Sequence, residues 1–228
     1  MTHNTVKLGG AASDVVVARV AVSHAILSFS AFYSQHLAWC PQHGLMMMTW
    51  KPTAVPDEEA FAAIKAGIDA LPSGVKMILN SGGCGPSWLR RGLQNSRVSF
   101  FGYLSGEFYG QGLTTANLEL IARFFERYPE YADRAFLSVK GGAVPGKLAT
   151  DGSRENLRRS VDDILKALRG TKRLDLFEPA RRDPNYEIEH YAEVLNEMVK
   201  EGKFDYIGLS EVNADTVRRA HKVRIFPQ

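Results

Sequence analysis

The sequence predicts an α/β protein, an incomplete (β/α)8 TIM barrel in which about five of the eight βα units are present. Three stretches carry this expectation: Phe136-Leu-Ser-Val-Lys-Gly141, Asp175-Leu-Phe-Glu-Pro-Ala-Arg-Arg-Asp183 and Tyr206-Ile-Gly-Leu-Ser210. Each is a short apolar run that ends in polar residues, and helical patterns of ordinary length separate them. Polar groups gathered at the C-terminal ends of successive strands are how a parallel barrel presents a site.

Taken in order, Asp57 can cap a helix whose apolar positions Phe61, Ile64, Ile68 and Leu71 keep the helical period, and Pro72-Ser-Gly74 ends it. Val75 to Leu79 is a short buried strand that runs into Asn80-Ser81-Gly82. Thr114 or Thr115 starts a second helix with Leu118, Ile121, Phe125 and Tyr128 on one face, stopped by Pro129. Ala135 to Val139 is the next strand, ending at Lys140-Gly141-Gly142. Ser153 caps a third helix carrying Leu157, Val161, Ile164, Leu165 and Leu168, and Gly170 follows as its stop. Leu174 to Phe177 is a strand, Ile188 to Val199 a helix closed by Gly202, Phe204 to Leu209 a strand, and Ala214 to Lys222 a helix.

Strands alternating with helices imply a parallel sheet with right-handed crossovers, either closed or open. An open dinucleotide fold calls for Gly-x-Gly-x-x-Gly after its first strand. Gly82-Gly-Cys-Gly85 only approaches that pattern, and Pro86 and Trp88 behind it do not suit a phosphate turn, so the barrel is favoured.

Bulk properties set the class. Apolar residues make up 45% and charged residues 23% of 228, and the formal charge is +3. The arginine doublets at 90–91, 158–159, 181–182 and 218–219 form no single basic stripe, so no nucleic-acid partner is expected. Two cysteines, Cys40 and Cys84, do not define a disulfide framework and fit a reducing compartment. No apolar run is long enough to cross a bilayer, and Lys7 has no apolar core beside it as a secretory leader would. The expectation is a soluble, cytoplasmic protein without a membrane partner; composition gives no oligomeric state.

Seven motifs resemble the aldo-keto reductases, in their fungal pyridoxal reductase branch. They are Gly44-Leu-Met46, Pro56-Asp-Glu-Glu-Ala-Phe61, Gly106-Glu-Phe-Tyr-Gly110, Ser138-Val-Lys-Gly-Gly142, Asp151-Gly-Ser-Arg-Glu-Asn156, Pro179-Ala-Arg-Arg-Asp-Pro184 and Ile207-Gly-Leu-Ser-Glu211. That resemblance implies carbonyl reduction with NADPH, of a small aldehyde such as pyridoxal to pyridoxine, and Tyr109 as the proton donor. The chemistry agrees. A phenol with a reference pKa of about 10 is a poor acid at neutral pH unless a nearby cation favours its anion, and Lys140 would supply that charge. The resemblance further implies cofactor contacts from Thr49, Ser210 and Glu211, with Met48 beside them, and substrate contacts from Trp50, Ala180 and Arg181. Singly, each has a plainer reading: Tyr109 as a rim aromatic, Lys140 as a solvated strand end, Ser210 as the cap of the following helix.

Two positions depart from the broader family. Its catalytic Asp aligns with Asn80, and its His aligns with Ala180. An amide at 80 accepts a hydrogen bond from Lys140 but does not offset its charge. Ala180 leaves the carbonyl without an imidazole donor and opens room for a bulky aromatic aldehyde.

The whole chain, 1–228, reads as one partial barrel domain with two segments that break the rhythm. Removing residues 22–42 joins Val20-Ala21 to His43-Gly-Leu-Met, giving a first strand near Val16–Leu45. Removing residues 83–106 restores Asn-Ser-Gly-Glu-Phe-Tyr-Gly. Both segments begin and end abruptly inside a motif, as in-frame translated introns would. His36, Cys40 and His43 have ligand-like spacing, completed by His24 or Cys84, but no Cys-x-x-Cys knuckle accompanies them, and no metal is expected. After the last helix the chain ends in Arg224-Ile-Phe-Pro-Gln228, where the family's sixth strand would begin. The family's contacts to the adenosine phosphate come mostly from its last two units, so weak NADPH binding is expected. The competing functional reading is a catalytically inactive truncated fragment of the same family. A hydrolase on an open sheet is disfavoured because Gly-x-Ser-x-Gly is missing from the chain.

Overall fold

The computed structural model describes residues 5–7, 15–18, 42–81, 106–147 and 149–223. Its strands are β1 (Thr5–Lys7), β2 (Val16–Ala18), β3 (Gln42–Gly44), β4 (Met77–Ser81), β5 (Ala135–Gly141), β6 (Leu176–Pro179) and β7 (Tyr206–Ile207). Its helices are α1 (Met46–Trp50), α2 (Asp57–Asp69), α3 (Ala116–Arg127), α4 (Arg154–Leu168), α5 (Ile188–Lys200) and α6 (Ala214–Lys222), with 3-10 turns at Gly106–Phe108 and Pro129–Arg134.

Strands β3 to β7 pair in chain order, all parallel, and the helices pack on one another in the same order. A doubly wound sheet would reverse its strand order at a switch point. This one does not, so it winds in one direction as a barrel does. The expected first strand across Val16–Leu45 is not a single strand. Val16–Ala18 pairs antiparallel with Thr5–Lys7 in a separate hairpin, and Gln42–Gly44 opens the parallel sheet. Two valines suit either sheet, and composition alone does not say which edge receives them. Most of the two rhythm-breaking segments, the candidate metal ligands His24, His36, Cys40 and Cys84, and the final five residues lie outside the described residues.

Alternation along each strand divides the sheet into two faces. Met77, Leu79, Ala135, Leu137, Val139 and Phe177 face the helices and join their apolar stripes in the core. Phe61 of α2 meets Phe124 of α3 edge-on at 5.6 Å between ring centroids, and Leu157, Val161 and Ile164 of α4 are fully buried. Phe136 and Tyr206 stack at 5.7 Å on the opposite face. Ile78, Asn80, Ser138, Lys140, Leu176 and Glu178 share that face by alternation.

Element ends differ from the sequence pattern for identifiable reasons. Pro56, not Asp57, holds the cap position of α2, and the Asp57 carboxylate instead accepts two hydrogen bonds from Arg123 of α3 at 2.6 and 2.8 Å. That bonding holds its carboxyl below the usual range. Thr115 precedes α3 but spends its hydroxyl on Glu119. β6 starts at Leu176 rather than Leu174 because the Asp175 carboxylate takes the Leu137 N–H at 2.6 Å and pairs with buried Lys172 at 2.7 Å. Ser153 does cap α4, accepting from the Asn156 N–H at 3.3 Å.

Gly141, directly after Lys140, is required by space. A Cβ there would stand 2.4 Å from the Phe177 ring and 2.4 Å from Ser160 Oγ. Phe177 is fully buried and Ser160 is committed to hydrogen bonds, so neither has room to yield. Gly141→Ala should therefore destabilise the protein by roughly 1–3 kcal/mol, seen as a lower urea midpoint. An unchanged midpoint would show that the turn repacks freely.

Candidate active site

The site lies at the C-terminal ends of β4, β5, β6 and β7. Asn80 and Ser138 are buried at 5% exposure each and occupy neighbouring strands in direct register. Lys140 is half-buried at the end of β5, directly opposite Glu178 of β6. Tyr109 lies just past the 3-10 turn and is 2% exposed.

Two buried networks hold this rim. In the first, Thr49 of α1 donates its hydroxyl to the Tyr109 carbonyl. Asn117 of α3 donates to Thr49 Oγ1 at 2.9 Å and to the Leu45 carbonyl at 2.8 Å, and accepts from Ser81 Oγ at 2.8 Å. One amide thus ties β3, the end of β4 and the tyrosine segment together. Thr49, implied as a cofactor contact, is in the structure an anchor for the Tyr109 backbone.

The second network starts at Glu107, two residues before Tyr109 and fully buried. Its carboxylate accepts from Ser160 Oγ at 2.6 Å and from Arg159 at 2.5 Å. Ser160 Oγ also accepts the Gly142 N–H at 2.8 Å, and Arg159 also donates to the Ala143 carbonyl at 2.6 Å. Burial pushes the Glu107 carboxyl above its usual range, and the Ser160 and Arg159 bonds only partly oppose this. The segment before Tyr109 and the turn after Lys140 are therefore clamped by the same two residues of α4. Nothing in the local pattern marks this pairing, because 52 residues separate Glu107 from Arg159.

The remaining implied residues sit on the far side of the rim. Ala180 is buried, with its N–H bonded to the Gly141 carbonyl at 2.9 Å. Arg181 and Glu211, implied for different ligands, form an ion pair at 2.9 Å that joins the ends of β6 and β7. Glu211 holds this position with a left-handed backbone, φ 56°. Ser210 is not the cap of α6; Asn213 fills that role, accepting from the Thr216 N–H at 2.8 Å. Ser210 instead lines a small pocket with Pro179, Arg182 and Tyr191. Trp50 ends α1 on the opposite flank. The residue that sequence reading missed is Glu178. Within Asp175–Asp183 it reads as one more polar strand end, yet its carboxyl is raised by burial and faces Ser138, Asn80 and Lys140.

Asn80, Ser138, Lys140 and Glu178 thus form a polar cluster on one face at neighbouring strand ends, with buried Tyr109 on the segment tied to it. Among the described residues no group of three His, Cys, Asp or Glu side chains could hold a metal ion. No described helix is long and apolar enough to cross a membrane.

Comparison with known proteins agrees with this fold. The model of the aldo/keto reductase family matches residues 42–227. The Schizosaccharomyces pombe protein named "Probable pyridoxal reductase 2" is 37% identical over 177 residues, covering 78% of this chain and 45% of that one. Among solved structures, the glycerol dehydrogenase of Gluconobacter oxydans superposes with a TM-score of 0.60 at 18% identity, over 98% of this chain and 53% of that one. A thermostable aldo-keto reductase superposes with a TM-score of 0.54 at 20% identity, over 80% of this chain and 53% of its own. The chain thus spans about half the length of the relatives it matches. The unreversed parallel strand order, the polar rim at its strand ends and the match across residues 42–227 together show that the chain belongs to the aldo/keto reductase family.

Proposed function

We propose that this protein reduces a small aldehyde, with pyridoxal as the substrate and NADPH as the reductant. The observation that carries the reading is the shared clamp. Glu107, Arg159 and Ser160 fix the backbone on either side of Tyr109 and Lys140, the two groups that proton delivery requires. NADPH, when bound, supplies the hydride. Tyr109 gives its phenolic proton to the carbonyl oxygen as the alcohol forms, and the Lys140 ammonium supports the phenolate left behind. Ser210 would hold the nicotinamide carboxamide. Ala180, small where an imidazole would be bulkier, and Trp50 at the end of α1 would be the substrate contacts that the resemblance implies. The similarity to a protein named as a pyridoxal reductase supports the choice of substrate. The full-length protein should oxidise NADPH only when pyridoxal is present, followed at 340 nm. Oxidation at the same rate without an aldehyde, or none across a panel of aldehydes, would remove the proposal.

A further inference from the structure

We propose that Glu178 is the counter-charge of Lys140, a positioning residue that supplies from β6 the carboxylate missing at Asn80 on β4. This rests on the reading of Lys140 as the cation beside the proton donor. In the register of β5 and β6, Lys140 and Glu178 are direct partners, and adjacent strands lie about 4.8 Å apart. Their side chains therefore emerge on the same face, away from the helices. The carboxylate is received there by a built environment. Ser138 Oγ reaches Glu178 Oε1 at a long 3.5 Å, and the Asn80 side chain hydrogen-bonds the same carboxyl. Gly208, directly after β7, keeps space open, since a Cβ there would stand 2.9 Å from Glu178 Cβ and 3.3 Å from Oε2. Burial pushes the carboxyl up, and among the described residues Lys140 is the charged group that pulls it back.

The geometry explains why an amide is tolerated at position 80. Asn80 donates to Glu178, whereas a second carboxylate there would repel it. One negative charge serves the lysine, relocated by one strand beyond β5.

The test reads Lys140 directly. Its labelling by a neutral amine-directed succinimidyl ester at pH 7.5 is followed by peptide mass spectrometry, in the full-length protein without cofactor or substrate. Glu178→Gln should speed labelling about tenfold, because the lysine side chain loses the carboxylate that engages it and turns toward the reagent. The double variant Asn80→Asp/Glu178→Gln should return it to within about twofold of the parent, since the charge is restored from the other side. A purely structural role for Glu178 gives no such rescue. Labelling unchanged in Glu178→Gln, or unrestored in the double variant, overturns the proposal. If Glu178→Gln does not fold, Asn80→Asp alone decides. With Glu178 already in place, labelling changes less than about twofold, whereas a tenfold slowing shows that Lys140 had no counter-charge. Because labelling needs no turnover, a protein that follows this pattern but reduces no aldehyde rejects the functional reading and leaves this one standing.

Discussion

Tyr109→Phe should lower kcat for pyridoxal reduction by about 10²–10⁴-fold, the range that a positioned general acid contributes. The ring is 2% exposed, its carbonyl is held by Thr49, and the segment before it is locked through Glu107. A phenylalanine keeps that packing and those backbone bonds, so the loss falls on the proton and not on the fold. Thermal stability should stay within about 1.5 kcal/mol of the parent, the worth of one hydrogen bond. KM for the aldehyde should change little, because the proton matters in the transition state rather than in the bound complex. Near-normal turnover in Tyr109→Phe would show that another group is the acid.

Arg159→Met should lower stability by about 3–5 kcal/mol. Glu107 has no exposed side-chain surface, and without Arg159 the Ser160 hydroxyl is what its carboxylate keeps among the described residues. Asp163, also paired with Arg159 at 2.8 Å, then adds uncompensated negative charge nearby. The effect has a pH signature with a fixed sign. The folded-state carboxyl of Glu107 already lies above its ordinary value of 4.5, and losing Arg159 raises it further. Between the unfolded and folded values the native state holds the extra proton, so stability falls as pH rises through that window. The deficit of Arg159→Met should therefore be larger at pH 7.5 than at pH 5, by chemical denaturation. Adding Glu107→Gln should recover much of it at pH 7.5, because the buried charge is gone. An equal deficit at both pH values would mean that Arg159 contributes packing rather than charge compensation.

What the sequence made legible was the part of the structure governed by local pattern. The alternation of elements is plain because each helix carries a periodic apolar face, and α6 runs from Ala214 to Lys222 as its pattern says. β4, β5 and β6 each end two residues beyond the expected run, whereas β7 is shorter than its run at both ends. The apolar run reports which side chains face the helices, whereas the ladder continues into polar residues such as Ser81, Lys140 and Glu178. Tyr109, Lys140 and Asn80 were named as candidates through the resemblance. Their supports were not, since Asn117, Arg159 and Ser160 reach partners 16 to 72 residues away and lie on helix faces that read as ordinary. Glu178 was hidden differently: a carboxylate at a strand end looks solvated until the register puts it opposite a lysine.

The proposed reaction at the rim of Tyr109 and Lys140 is aldehyde reduction with hydride from a nicotinamide cofactor. The most direct measurement uses NADPH carrying deuterium at both C4 positions, with pyridoxal and the full-length protein, and mass spectrometry of the alcohol. The account predicts one deuterium on the former aldehyde carbon of every product molecule, with formation at least about 100-fold slower in Tyr109→Phe. Cofactor oxidised without deuterium in the alcohol, or labelled alcohol formed as fast by the phenylalanine variant, would contradict it.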